Sequence, residues 1–214
     1  MVAADALMQD FRRFCDEGGQ ALQAQALFDA LQAHLHAQDP AHWGWPAWPA
    51  DWRDRDGPQV RAFEREHAGR VAYFQYLQWL AARQLAAAAQ ACSAAGMVIG
   101  LYLDLAVSVD RGGADSWRHA DCFASGASVG APPDLLNQQG QDWGLLPLRP
   151  DRLAEGGFAP FVEALRANMR CAGALRIDHV MMLMRLFWIP GGGRAAGGAY
   201  VRYPCGAVFA ILAL

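Results

Sequence analysis

Within four residues, the stretch Ala174–Ile189 (ALRIDHVMMLMRLFWI) offers a guanidinium, a carboxylate and an imidazole: Arg176, Asp178 and His179. The setting is that of a strand end. A strand of a parallel α/β sheet is buried along its length and carries polar side chains at its carboxyl end, after which a helix leads the chain back. Here a short apolar run precedes the three groups and a Met- and Leu-rich helical pattern follows them. A carboxylate flanked by a cation is held ionised, as a nucleophile must be, and the adjacent imidazole can hydrogen-bond a substrate. The competing use of the same residues is an Arg–Asp ion pair that only fixes the strand.

A second stretch ends in the same style. Met97–Val107 (MVIGLYLDLAV) is nearly all apolar apart from Asp104 near its end, and Gly96 stops the helical pattern before it. If both strands belong to one parallel sheet, Asp104 and Asp178 emerge at the same face. As neighbours at ~4.8 Å spacing, their carboxyls can approach the ~5–5.5 Å separation of retaining glycosidases. Spacing alone therefore nominates the two carboxylates as a pair.

Holding such a sheet end requires a sizeable core, and 214 residues, 54% apolar and 11% aromatic, supply one domain's worth of ordered material. The net charge is −3, and all 18 cationic residues are scattered arginines, which argues against nucleic acid as a partner. Five cysteines (Cys15, Cys92, Cys122, Cys171, Cys205) are odd in number and lack CxxC spacing, against both a disulfide framework and a zinc site, so a reducing cytoplasm is expected. The opening MVAADALMQDF has acidic residues where a signal peptide needs a basic head, and no apolar run nears the ~20 residues of a membrane span.

The positioning elements follow in order. Residues 4–37 show helical spacing broken at Gly18-Gly19, predicting two helices. His34, His36 and His42 suggest a metal site, but residues two apart on a helix point ~200° apart, so surface or capping roles are expected. Trp43, Trp45, Trp48 and Trp52 lie among prolines in an ordered loop; the indoles can stack on sugar rings, but the expectation is that they pin the loop to the core. From Pro58 an apolar stripe runs toward Gly96 as one long helix, or two broken near Gly69. Residues 108–157, rich in Gly, Pro and Asp, are expected to be a long loop overhanging the catalytic face, and Phe158–Ala172 an amphipathic crossover helix opening at Gly173 onto the Asp178 strand. The glycines at 191–193 and 197–198 lack the GxxxxGK[ST] pattern of a phosphate loop and predict a Gly-rich turn. The closing AVFAILAL is an apolar run without a cap.

Taken together, YLQWLAARQL, GLYLDLAV, GASVGAPPD, GQDWGLLPL, LRANMRCAGALRIDHV, FWIP and GAYVRYP resemble the 4-alpha-glucanotransferases, the amylomaltase or disproportionating-enzyme family related to α-amylases. The likeness runs from about Tyr73 to the end and more loosely through the first helices. It implies a (β/α)8 TIM barrel with helical and loop insertions, and retaining transfer of α-1,4-glucan segments between maltooligosaccharides, with no metal or organic cofactor. By the same resemblance, the nucleophile of the RIDH motif maps onto Asp178, its preceding Arg onto Arg176 and its substrate-binding His onto His179. The strand-end Asp that contacts sugar hydroxyls matches Asp104. The GQxWG motif of the glucan-binding loop matches Gln141, Trp143 and Gly144, and its PPD matches Asp134. The family's acid/base Glu and stabilising Asp lie on strands beyond the nucleophile, which recasts Asp104 as a binding group. The chain departs from the pattern at Met182, where many relatives have Gly.

The resulting expectation is an α/β fold, a partial (β/α)8 TIM barrel truncated after about the fourth strand. Residues 1–95 would be the mainly helical part, and 96–214 the central strands, glucan-binding loop and nucleophile strand of one catalytic domain. A closed barrel needs ~250 residues, so unpaired strand edges and an exposed apolar face should remain, with weak glucan binding and no transfer by this polypeptide alone. Three rivals stand beside the transferase: an α-amylase-like hydrolase, which the APPD and GQxWG loop disfavours; a non-catalytic glucan-binding fragment; and a metal-dependent hydrolase, for which no ligand cluster is evident.

Overall fold

The computed structural model describes residues 2–213, and the chain divides into two units. The first comprises Met1–Ala91 with Gly112–Arg118, the second Cys92–Arg111 with His119–Leu214.

The first unit is helical. Helix α1 (Val2–Gln38) is two helices merged across a kink at Gly19 (φ 48°, ψ −138°), a backbone conformation open to glycine and the reason for the break expected there. Short α2 (Ala50–Arg53) precedes α3 (Pro58–Glu66) and α4 (Ala68–Ala94), which part at His67. Pro58 opens α3 because its missing N–H is an orphan at that position anyway. Leu27, Leu31 and Leu35, four apart on α1, form the core with Val60, Phe63 and Val71. Trp117 of α5 (Ala114–Arg118) joins them.

Trp48, wholly buried, packs its ring 5.2 Å from Phe28 and 5.7 Å from Trp117, and its Nε1 donates to Gln32 Oε1 at 3.3 Å. Trp45 Nε1 donates to Ser116 Oγ at 2.9 Å, and Trp117 Nε1 to the Arg53 carbonyl at 2.8 Å. Trp45, Trp48 and Trp52 thus pin the loop to the core, while Trp43, 71% exposed, meets the His36 ring edge-on at 5.2 Å. His34 lies among the rings of Trp52, Phe63 and His67; desolvation, then the neighbouring His67, pushes its pKa below the ordinary imidazole value.

In the second unit, β1 (Tyr102–Leu105) and β4 (Ala174–Ile177) pair in parallel. The first strand is shorter than Met97–Val107 because Gly100, at φ 75°, breaks the extended run before Tyr102. A Cβ on Gly173 would lie 1.3 Å from the Ile99 carbonyl oxygen, so only glycine lets the chains meet at the start of β4. The expected crossover helix is α7 (Ala159–Met169), whose Phe161 and Leu165 share a core with Leu105, Leu175 and Ile177.

Two expectations are corrected here. Residues 108–157 are not one overhanging loop, for besides α5 they contain β2 (Ala127–Ala131), β3 (Gln141–Leu145) and α6 (Pro150–Glu155). The Met- and Leu-rich pattern after His179 is no return helix either; a single 3-10 turn, Val180–Leu183, leads into β5 (Arg185–Pro190). That strand is central in an antiparallel sheet of order β3-β2-β5-β6, with β6 at Ala199–Arg202, and Leu186, Phe187 and Ile189 are buried in it. Pairing on both edges overrides the helical look of the sequence. The Gly-rich tract at 191–198 makes the turn between β5 and β6, and residues 207–212 of the closing apolar run lie in α8 (Cys205–Leu212).

One core joins the two sheets, from Leu105 and Val129 through Leu183 and Leu186 to Val208. The architecture is mixed α/β, and its parallel part among the described residues is the β1–β4 pair. Neither outer edge of that pair has a strand partner among the described residues, and Val98, Ile99 and Tyr102 beside it are exposed. No helix of the described residues is long and apolar enough to cross a membrane.

Candidate active site

The parallel register sets Asp104 directly opposite Arg176. Side chains alternate along a strand, so Asp178, two residues beyond Arg176, leaves from the same face. Its own backbone is still tied to β1, because the Asp178 N–H donates to the Leu105 carbonyl at 2.9 Å. The three groups meet. Arg176 Nη1 lies 2.5 Å from Asp104 Oδ2 and Nη2 lies 2.8 Å from Asp178 Oδ1, so one guanidinium bridges two carboxylates.

All three side chains are about half exposed: 53% for Arg176, 52% for Asp104 and 45% for Asp178. An ion pair this open to water contributes only ~0–1 kcal/mol to stability. That is a poor reason to set two carboxylates about one cation at a strand end, and it weighs against a purely structural ion pair. The same geometry bears on the pairing of Asp104 with Asp178 as acid and nucleophile. Arg176 occupies the space between them, so Asp104 faces a guanidinium where a general acid must face a glycosidic oxygen.

His179 follows in the left-handed region (φ 47°, ψ 59°), a conformation that costs a non-glycine residue ~1–3 kcal/mol and turns the chain sharply off β4. Its ring meets Trp143 edge-on, with centroids 5.2 Å apart and planes at 80°. Its Nε2 is buried without a hydrogen-bond partner. Trp143 is half-buried at the edge of the core and donates its Nε1 to Gln141 Oε1 at 3.0 Å.

The predicted residues thus fall into three groups. Asp104, Arg176 and Asp178 form one ionic cluster, and His179, Trp143 and Gln141 form one chain of contacts continuing from Asp178. Asp134 spends its Oδ1 within its own turn, accepting from the Leu136 and Asn137 N–H groups at 2.8 and 2.6 Å. Sequence reasoning passed over Leu105, whose carbonyl aims Asp178; that contact follows from the register pairing Leu105 with Ile177, which the sequence does not show. It also passed over buried Tyr203, whose hydroxyl donates to the Leu148 carbonyl at 2.6 Å and whose pKa is raised by burial.

Residues 2–214 match the family model described as 4-alpha-glucanotransferase. A 4-alpha-glucanotransferase of Haemophilus influenzae is 44% identical over 207 residues, covering 95% of this chain and 30% of the relative. One from Mycobacterium tuberculosis is 43% identical over 204 residues, covering 95% and 27%. Among solved structures, amylomaltase from Corynebacterium glutamicum superposes with a TM-score of 0.80 at 37% identity, over 98% of this chain and 27% of that one. Amylomaltase from Streptococcus agalactiae in complex with acarbose gives 0.84 at 18% identity, over 96% and 41%, a likeness of fold alone. The chain spans between 27% and 30% of the length of these two curated relatives.

Proposed function

The chain belongs to the 4-alpha-glucanotransferase family, and on that premise we propose that it carries the nucleophile of a retaining transferase that moves α-1,4-glucan segments between maltooligosaccharides. The observation that carries the reading is the half-exposed Asp104–Arg176–Asp178 bridge at the end of the parallel pair. Asp178 attacks the anomeric carbon as the glycosidic C–O bond breaks and a glutamic acid protonates the departing oxygen, leaving a glucosyl ester on the enzyme. An acceptor sugar hydroxyl then displaces the ester and returns its proton to the glutamate. The family resemblance puts that glutamic acid on a strand beyond the nucleophile, and no Asp or Glu follows Asp178 among these residues. Arg176 holds the two carboxylates in register, Asp104 and His179 orient sugar hydroxyls, and Trp143 with Gln141 helps exclude water so that transfer outruns hydrolysis. The reaction needs no metal or organic cofactor.

We read β1 and β4 as two strands of a (β/α)8 barrel. Parallel sheets are ordinarily covered on both faces. Here one face packs on α7, while the other carries Tyr102, 67% exposed, beside the ionic cluster. The five free thiols accord with the cytoplasmic setting we propose.

Maltotriose disproportionation, followed by chromatography, tests the reading. The 214-residue chain by itself yields no products of altered length. A chimera in which it replaces the matching stretch of the Haemophilus relative yields both longer and shorter maltooligosaccharides. Glucose release without longer products would make the enzyme a hydrolase, and a chimera with no turnover would leave a non-catalytic glucan-binding segment.

A further inference from the structure

We infer that Asp134 is a positioning residue, whose carboxylate shapes the β2–β3 connection leading to Trp143 and does not itself bind sugar. The inference rests on the transferase reading for its kinetic consequence only. One carboxylate oxygen accepts two backbone N–H groups, from Leu136 at 2.8 Å and Asn137 at 2.6 Å, while the Asp134 N–H donates to the Asn137 carbonyl at 3.0 Å. Three hydrogen bonds therefore lock residues 134–137 into an Asx-type turn. At the base of the connection the Gly140 N–H donates to the same Asn137 carbonyl, also at 3.0 Å. Gly140, at φ 70°, is so tightly enclosed that a Cβ would fall 2.6 Å from the Ala195 Cβ and 2.7 Å from the Ala131 carbonyl oxygen.

This bracing holds two apolar side chains where they would not otherwise stay. Leu135 and Leu136 are 97% and 99% exposed, and an unbraced tip would relax to remove them from water. The connection runs straight into Gln141 and Trp143, whose ring meets His179. Loosening the turn therefore displaces the groups that receive the donor glucan. Asp178 is aimed by a different element, β4 and its ladder to Leu105, so the chemical step is spared.

Asp134→Ala removes the acceptor, whereas Asp134→Asn keeps Oδ1 at the same reach and discards only the charge. In the 214-residue chain, hydrogen exchange at the Leu136 and Asn137 amides is expected to quicken at least ~10-fold in Asp134→Ala and to return to the parental rate in Asp134→Asn. In the chimera, Asp134→Ala raises KM for maltotriose about 5- to 10-fold with kcat held within about 2-fold, and Asp134→Asn restores KM. Two results would overturn the inference: unchanged exchange in Asp134→Ala, or a KM raised as much by Asn as by Ala, since the latter means the charge meets sugar. A parental chimera without transfer would count against the transferase reading, and the exchange rates would still decide what Asp134 does.

Discussion

Asp178→Asn in a full-length transferase carrying these residues lowers kcat by at least about 10⁴-fold and leaves maltooligosaccharide binding in place, a result read by steady-state kinetics and calorimetric titration. Asparagine has the shape of aspartate and still offers Oδ1 to Arg176 Nη2, 2.8 Å away, so the bridge and the strand end survive the change. What is lost is the anionic oxygen that forms the bond to the anomeric carbon. A neutral amide oxygen cannot form the glucosyl ester, and with no ester the two-step route to retention is closed. The loss is therefore confined to the chemical step. Parallel loss of binding would mean that Asp178 holds sugar instead of attacking it.

Trp48→Ala is expected to destabilise the first unit by about 3–5 kcal/mol, seen as a lower urea midpoint at an unchanged slope. The side chain is wholly buried, touches the rings of Phe28 and Trp117, and satisfies Gln32 through its indole N–H. Truncation leaves a cavity at the centre of the aromatic cluster and removes the anchor of the proline-rich loop. Against a total of about 5–15 kcal/mol for a domain, that is a large share. Trp43→Ala, in the same loop but exposed, is the matched control and shifts stability by no more than about 0.5 kcal/mol.

What the sequence reveals about this fold depends on how locally each feature is encoded. The break at Gly19, the start of α3 at Pro58 and the amphipathic α7 are written in neighbouring residues, and each is legible. Strand β2 is not. Apart from Val129, its sequence, ASVGA, is made of small residues with little strand preference. It is a strand because Gly130 lets Gln141 approach, since a Cβ there would lie 2.0 Å from that carbonyl oxygen, and because β5 pairs along its other edge. Arg185–Pro190 was obscured for the opposite reason: both its faces are apolar, and a short apolar run has no period by which to tell strand from helix.

The site divides along the same line. That Arg176 lies beside Asp178 follows from adjacency in the chain, and its ion pair with that carboxylate was open to anticipation. Its second bond, to Asp104 from 72 residues away, depends on the register of two strands and emerges only in three dimensions. The use of Asp134 by its own turn was likewise hidden, because a motif match names a residue without saying where its oxygens point.

The most direct test of the central assignment is to trap the covalent intermediate. Full-length transferase carrying these residues is treated with 5-fluoro-α-glucosyl fluoride, digested, and its peptides sequenced by mass spectrometry. The predicted result is a single 5-fluoroglucosyl ester on Asp178; the same label on Asp104, or on any other carboxylate, would contradict the assignment of the nucleophile.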